Sequence, residues 1–317
     1  MRELITKKLA EENDFQCDIQ NIVITTGAKQ AIYLSLLVLV EPEDEVIVIT
    51  PGYPSYIPQL KLVEPSVIIR SVDLKKDDFS LDIEEIKKKI TPKTKLLILN
   101  TPHNPTGKMF SREQLLQLAE LALENDFYIL SDEIYEKLVY TDQVHFSLAS
   151  IKGLAERLIL INGFSKSYSM TGWRIGYLVA PLPLAQQIAE MQHHINTNVC
   201  TFVQKGSCAA FSLTTDYLSS FRSLIRKNAA ELQKMVSQNK SLKLVQPQGS
   251  QFCFLNISEL GLRSDEFCTK LVEKKGVAAT PGIIFGDNWD DHIRISLGVD
   301  EVEFAKGVRY LEEFVRE

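Results

Sequence analysis

The sequence has no CxxC pair, and its five cysteines, Cys17, Cys200, Cys208, Cys253 and Cys268, are scattered over 317 residues. An odd, dispersed set argues against a disulfide framework and against a zinc ribbon, and points to a reduced, cytoplasmic protein. Concentrated positive charge is also missing. Lys and Arg number 35 against 41 Asp and Glu, for a net charge of −6. The short runs Lys75-Lys76 and Lys87 to Lys89 sit in amphipathic contexts and read as solvated helix faces, so nucleic acid is not the expected partner. The longest apolar run, AIYLSLLVLV (31–40), is too short to span a bilayer and reads as a buried helix. The opening stretch, MRELITKKLAEEND, is charged and amphipathic, unlike a signal peptide. Internal repeats and low-complexity tracts are absent.

What remains is a globular mixture, 45% hydrophobic and 24% charged, long enough for a large α/β domain and a smaller companion. Apolar runs recur at EVIVIT (45–50), SVIIRSV (66–72), KLLILN (95–100), FYILSD (127–132), RLILIN (157–162) and IGYLVA (175–180). Helical patterns lie between several of them. One runs from Ala28 to Val40 behind Thr25-Thr26-Gly27, and another holds Leu81, Ile83, Ile86 and Ile90. Ser111 and Gln114 form a capping box at the head of a third. Nearly continuous apolar strands alternating with helices predict an α/β fold, a mostly parallel mixed sheet sandwiched by helices. A long charged helix from about Asp216 to Asn239 then leads into GSQFCFLNI (249–257), GVAATPGI (276–283), HIRISLG (292–298) and a last helix from Glu301, a smaller α+β unit. The expected division is a large domain over 1–228 and a small one over 229–317.

Ligands of open parallel sheets bind beyond the carboxyl ends of the strands. The first run is followed by PGYPSY with Tyr53, and KLLILN by TPHNPTG, with Asn104 in a turn built by Pro105 and Gly107. Asp132 closes its strand and Tyr135 follows a turn later, while RLILIN is followed by GFSK, with Ser165 and Lys166. TTGAKQA opens a helix, where backbone N–H groups at Gly27 and Ala28 suit an anion, phosphate above all. Singly, each residue has a plain structural reading: Asn104 in a turn, Tyr53 in packing, Asp132 as a helix cap, Lys166 in solvent. On one sheet edge they together present an amine, a carboxylate, a phenol, an amide, an aromatic face and an anion nest. Pyridoxal 5′-phosphate is the cofactor that needs this set. The amine bonds its aldehyde, the carboxylate keeps its ring nitrogen protonated, the amide and phenol hold the ring oxygen, and the helix terminus with an arginine holds its phosphate. Further along, Arg294 lies on the strand face opposite Ile293, Ile295 and Leu297. Its planar guanidinium suits a carboxylate, or else makes a surface ion pair.

The stretches GAKQAI, PGYPSY, NTPHNPTG, SDEIYE, GFSKSYSMTGWRIGY and HIRISLG resemble, in order, those of the class I and II aminotransferases of fold type I. The aspartate and aromatic branch is the most similar. The resemblance implies that Lys166 carries the cofactor and shuttles the proton, with Asp132 as partner of the pyridinium nitrogen. Asn104 and Tyr135 would donate to the ring oxygen and Tyr53 would stack on the ring. Gly27, Ala28, Ser165 and Arg174 would cradle the phosphate, and Arg294 would hold the substrate α-carboxylate. Lys29 matches a lysine that meets a distal carboxylate in the acidic-substrate branch, and a place beside the phosphate or in solvent is the alternative. His193 and His194 depart from that family's pattern; substrate shaping or plain helix surface are both open, and as neighbours they make a poor metal pair.

The same resemblance implies a ping-pong exchange between amino acids, acidic or aromatic, and 2-oxo acids, in a homodimer with its site at the interface. Members of the family carry a segment ahead of the stretch matching MRELI, which forms an arm over the partner subunit and a loop over the substrate. A chain opening at Met1 is expected to bind the cofactor but to close its site poorly and to self-associate. A C–S lyase of the same fold and a cofactor-bound interaction protein are the other readings.

Overall fold

The computed structural model describes residues 1–213 and 216–317. After helix α1 (Arg2–Glu12) the chain builds strand β1 (Ile22–Thr25), helix α2 (Ala28–Leu39), β2 (Glu45–Thr50), α3 (Tyr56–Val63), β3 (Ile68–Asp73) and α4 (Ile83–Lys89). It continues through β4 (Thr94–Asn100), α5 (Arg112–Glu124), β5 (Tyr128–Asp132), β6 (Leu158–Gly163) and β7 (Gly176–Val179). These strands form a seven-stranded sheet in the order β1-β7-β6-β5-β4-β2-β3. Only β7 runs against its neighbours, pairing antiparallel with both β1 and β6; the pairs from β6 across to β3 are parallel.

The apolar strands explain the two helical layers. Within β2 and β4, Ile47, Ile49, Leu97 and Leu99 face a core completed by Ile5 and Leu9 of α1 and Leu115 and Leu118 of α5. The alternate residues Val46, Val48, Leu96 and Ile98 face a second core with Ile32 and Leu36 of α2, Leu60 of α3 and Ile188 of α6 (Leu182–Asn196). A strand buried on both sides has no polar face to show, which is why these runs carry no alternation. The capping box is in place, with Ser111 Oγ accepting from the Gln114 N–H and Gln114 Oε1 from the Ser111 N–H.

Helix α7 (Thr201–Ser207) and the long α8 (Asp216–Ser237) lead to a second, antiparallel sheet, in the order β10-β11-β9-β8. Its strands are β8 (Lys243–Leu244), β9 (Phe252–Asn256), β10 (Thr280–Pro281) and β11 (His292–Ser296), with α9 (Ser264–Lys275) and α10 (Glu301–Arg316). Ile225 and Leu232 of α8, Leu271 of α9 and Phe304, Val308 and Leu311 of α10 close over Leu255 and Ile293. The expected division at residue 228 falls inside α8. Among the described residues, no helix is long and apolar enough to cross a membrane.

Two elements depart from the sequence reading. Strand β1 is only four residues long, too short for a periodic signal, yet it sets the start of α2 beside the site. Helix α3 begins inside PGYPSYIPQ, where the prolines hide it. Pro58 stands in the first turn, whose N–H groups have no helical acceptor, so the helix tolerates it.

Candidate active site

The carboxyl ends of the central strands, the N-terminus of α2 and strand β11 surround one cavity of about 430 Å³. Ala28, Lys29, Tyr53, Asn104, Asp132 and Tyr135 line it, as do Ser165, Lys166, Arg174 and Arg294. Of the residues named from the sequence for cofactor or substrate, only Gly27 does not line it; Gly27 lies against the Arg174 guanidinium. His193 and His194 lie elsewhere, both exposed on α6, where His194 faces Glu190 at 3.7 Å.

At the start of α2, Gly27 has φ 79°, a conformation that suits glycine. A Cβ there would lie 2.7 Å from Nη2 of Arg174, so the absent side chain leaves room for the guanidinium against the helix end. Arg174 is itself left-handed, φ 52°, and its Nη1 donates to the Thr171 carbonyl at 2.9 Å. The Gly27 N–H expected to meet an anion donates instead to the Thr25 carbonyl at 2.8 Å, which leaves the N–H groups of Ala28 and Lys29 beside the guanidinium to make an anion site. Replacing Gly27 with Ala is expected to displace that guanidinium and weaken pyridoxal phosphate binding about tenfold, with about 1–2 kcal/mol of backbone strain. Titration of the cofactor-free protein checks this, and an unchanged affinity would contradict the cradle.

Asp132 ends β5 in a buried position. Tyr56 Oη donates to its Oδ2 at 2.8 Å and the Ile134 N–H to its Oδ1 at 3.3 Å. Burial nonetheless pushes its carboxyl up to about 6, against the pull of those two bonds and of Lys166. A cationic group brought alongside would restore the ionised form. Tyr56 escaped the sequence reading, because the hydrogen bond depends on where α3 begins. Asn100 escaped it too: its Oδ1 accepts from the Asn104 N–H and its Nδ2 donates to the Asp132 carbonyl, both at 2.7 Å, tying two strand ends together.

Lys166 is half-buried, and burial, with Arg294 and Arg174 nearby, holds its ammonium below the usual lysine range; Asp132 opposes the shift. Tyr135 is buried, and burial with the Asp132 charge raises its phenol far above the ordinary value, so it stays a neutral donor. Arg294 comes from the small sheet. Its Nη1 donates to Asn104 Oδ1 at 3.1 Å and its Nη2 to Thr280 Oγ1 at 3.2 Å, with its guanidinium 4.1 Å from the Phe252 ring centroid and 5.1 Å from that of Phe285. Among the described residues, Lys166, Arg174 and Arg294 form no ion pair with a carboxylate. Two arginines and a lysine around one cavity suit an anionic ligand. Pyridoxal phosphate with an amino acid fits: phosphate at α2 and Arg174, the aldehyde at Lys166, the ring nitrogen at Asp132, a carboxylate at Arg294.

A mostly parallel sheet whose strand ends gather this set defines an enzyme that works on amino groups through pyridoxal phosphate. The chain belongs to the class I and II aminotransferases, matching the family Aminotransferase class I and II over residues 1–311. It is 33% identical to the aspartate aminotransferase of Pyrococcus abyssi, over 100% of this chain and 82% of that one. It superimposes on the aromatic aminotransferase of Pyrococcus horikoshii with TM-score 0.95, at 31% identity, over 99% of this chain and 85% of the other. The aspartate aminotransferase of Thermus thermophilus, crystallised with maleate, matches at TM-score 0.93 and 30% identity, over 99% and 81%. The chain is thus a pyridoxal-phosphate-dependent transaminase of amino and 2-oxo acids.

Proposed function

We propose that the preferred substrates are dicarboxylic, aspartate or glutamate as donor and a dicarboxylic 2-oxo acid as acceptor, exchanged in ping-pong order. The observation that carries this reading is Lys29. Its Nζ stands 5.6 Å from the centroid of Tyr53, and both side chains line the cavity that holds Arg294. With Arg174 assigned to the phosphate and Lys166 to the aldehyde, Lys29 and Arg294 are the two cations left for a substrate with two carboxylates. Aspartate aminotransferases among the relatives, one of them crystallised with a dicarboxylate, support it.

Bound pyridoxal phosphate supplies an aldehyde that exchanges with the substrate amine and a protonated ring that takes up the electron pair left at Cα. The chain's residues do the rest. Arg294 would grip the α-carboxylate and so orient the substrate. Lys166, whose ammonium burial and the two arginines disfavour, would take the α-proton on its Nζ and give it up again from there. Asp132 keeps the ring nitrogen protonated, with Tyr56 fixing its Oδ2. Tyr135 and Asn104 would donate to the ring oxygen and Tyr53 would cover the ring face, while Ala28, Ser165 and Arg174 would hold the phosphate, with Gly27 leaving room for the guanidinium.

A homodimer belongs to the same reading. Trp173, 47% exposed, packs beside Gly206 of α7, and Phe202, one turn earlier, is 77% exposed, so apolar surface lies open next to Arg174. Cytoplasmic location is proposed too, on the odd, scattered set of five cysteines.

A panel of amino donors against 2-oxoglutarate tests the substrate class. Aspartate is expected to lead, and Lys29→Met to lower kcat/KM for it by about tenfold or more while leaving aromatic donors near wild type. Equal losses on both classes would remove Lys29 as the distal-carboxylate group. Pyruvate and ammonia released without an acceptor would place the chain with the C–S lyases instead.

A further inference from the structure

The turn that follows β5 has two faces. Asp132 and Tyr135 look into the cavity, and Glu133 and Glu136 look the other way into a buried ionic cluster. Glu133 is fully buried; its Oε1 accepts from Ser131 Oγ at 3.0 Å and from the Leu148 N–H at 3.1 Å, and its Oε2 lies 2.8 Å from His145 Nε2. Glu136 is gripped from α1. The Lys8 ammonium pairs with its Oε1, and Asn13 Nδ2 donates to its Oε2 at 3.0 Å. Lys8 also donates to Asn13 Oδ1 at 2.7 Å and lies 3.7 Å from Glu12, which in turn pairs with Lys137. Ligand atoms of Glu133, Glu136 and His145 come within 4.8 Å of one another, and Lys8 pairs with Glu136 of the three.

Two features make this cluster more than a brace. A charged lysine with 6% exposure is costly to bury, and its partner is strongly committed: despite burial, Glu136 is drawn down to about 2 by Lys8 and Asn13. The carboxylate so fixed is the residue next to Tyr135, whose phenol faces Asp132, Asn104, Tyr53 and Arg294. A half-ångström slip of this turn moves the donor and the carboxylate together.

We propose that Lys8 and Asn13 are positioning residues, which by holding Glu136 set the turn that presents Tyr135 and Asp132 to the cofactor. The inference rests on the reading of the cavity as a pyridoxal phosphate site. It makes α1, which contributes no residue to the cavity wall, part of what tunes it.

The test uses the full chain loaded with pyridoxal phosphate. The paired exchange K8M/E136M replaces the buried ions with apolar groups of similar length, a change that folds often tolerate. Asn13→Ala leaves the ion pair in place and removes one hydrogen bond from Glu136, which keeps the question answerable if the double variant does not fold. The readouts are cofactor Kd and the pH midpoint of the bound cofactor's visible absorbance, which Asp132, Tyr135, Lys166 and Arg294 set between them. Kd is expected to rise on the order of tenfold in the double variant and about two- to threefold in Asn13→Ala, with the absorbance midpoint displaced in both and kcat falling more than KM changes. Variants with wild-type Kd and midpoint would reduce the cluster to a structural brace and overturn the inference. A wild-type chain that takes up no pyridoxal phosphate would overturn the cofactor site itself, and this inference with it.

Discussion

Lys166→Ala is expected to lose transamination by about 10⁴-fold or more while KM for the amino donor changes little. Two functions disappear together. One is the amine that bonds the cofactor aldehyde; the other is the base that takes the α-proton, alone worth about 10²–10⁴. Arg294 and its ring contacts at Phe252 and Phe285 remain, so substrate still docks, and a loss confined to kcat marks an interaction made in the transition state. The same substitution should raise the melting temperature of the cofactor-free chain. Burial, Arg294 and Arg174 disfavour the ammonium in the fold, so at neutral pH the native state carries a cost that the unfolded chain does not. That cost is absent above the ordinary lysine pKa and grows as pH falls below it. Stability is given up at the site for a reactive amine. Steady-state kinetics with melting curves check both halves, and a variant with turnover near wild type would remove Lys166 from the chemistry.

Asp132→Asn should lower kcat by roughly 10²–10³-fold, since a neutral amide cannot hold the ring nitrogen in its protonated form. Its effect on stability has the opposite sign. Burial lifts the Asp132 carboxyl from an ordinary 3.8 to about 6. A group with a raised pKa in the fold contributes fully below its unfolded value and loses that contribution as pH rises through the folded one. Above about pH 6 the cofactor-free wild type bears the whole cost, up to about 3 kcal/mol. The amide escapes it and can still accept from Tyr56. Cofactor-free Asp132→Asn should therefore melt above wild type at pH 8, with the gain shrinking as pH drops towards 4. Saturating pyridoxal phosphate should reverse the order, because its ring nitrogen supplies the cation the wild-type carboxylate lacks. Melting curves at both pH values, with and without cofactor, read this out; a variant less stable than wild type at pH 8 without cofactor would contradict it.

The legible parts of this protein are those that one local pattern determines. β2, β4, β5 and β6 are buried on both faces, so they read as unbroken apolar runs, and whatever follows them must lie at the sheet edge. Tyr53, Asn104, Asp132 and Lys166 could be placed together on that ground, and Ser111 announced α5 through its cap. The parts that stayed hidden depend on contacts across the chain. Tyr56 reaches Asp132 76 positions away, and only after α3 has formed around a proline. Asn100 is one more apolar-strand terminus until its two hydrogen bonds are seen. Lys8 meets Glu136 at a separation of 128 residues, and in the sequence it is an ordinary charge on an amphipathic helix. His193 and His194, conspicuous as a pair, are solvent-facing.

Lys166 is the residue proposed to hold pyridoxal phosphate, at the strand edge beside Asp132. Borohydride reduction of the cofactor-loaded chain, followed by peptide mapping by mass spectrometry, tests it most directly. One phosphopyridoxyl group per chain is expected, on the peptide containing GFSKSYSMTGWR (163–174) and at Lys166. None is expected in Lys166→Ala. A phosphopyridoxyl group found on another lysine such as Lys29, or retained in Lys166→Ala, would contradict it.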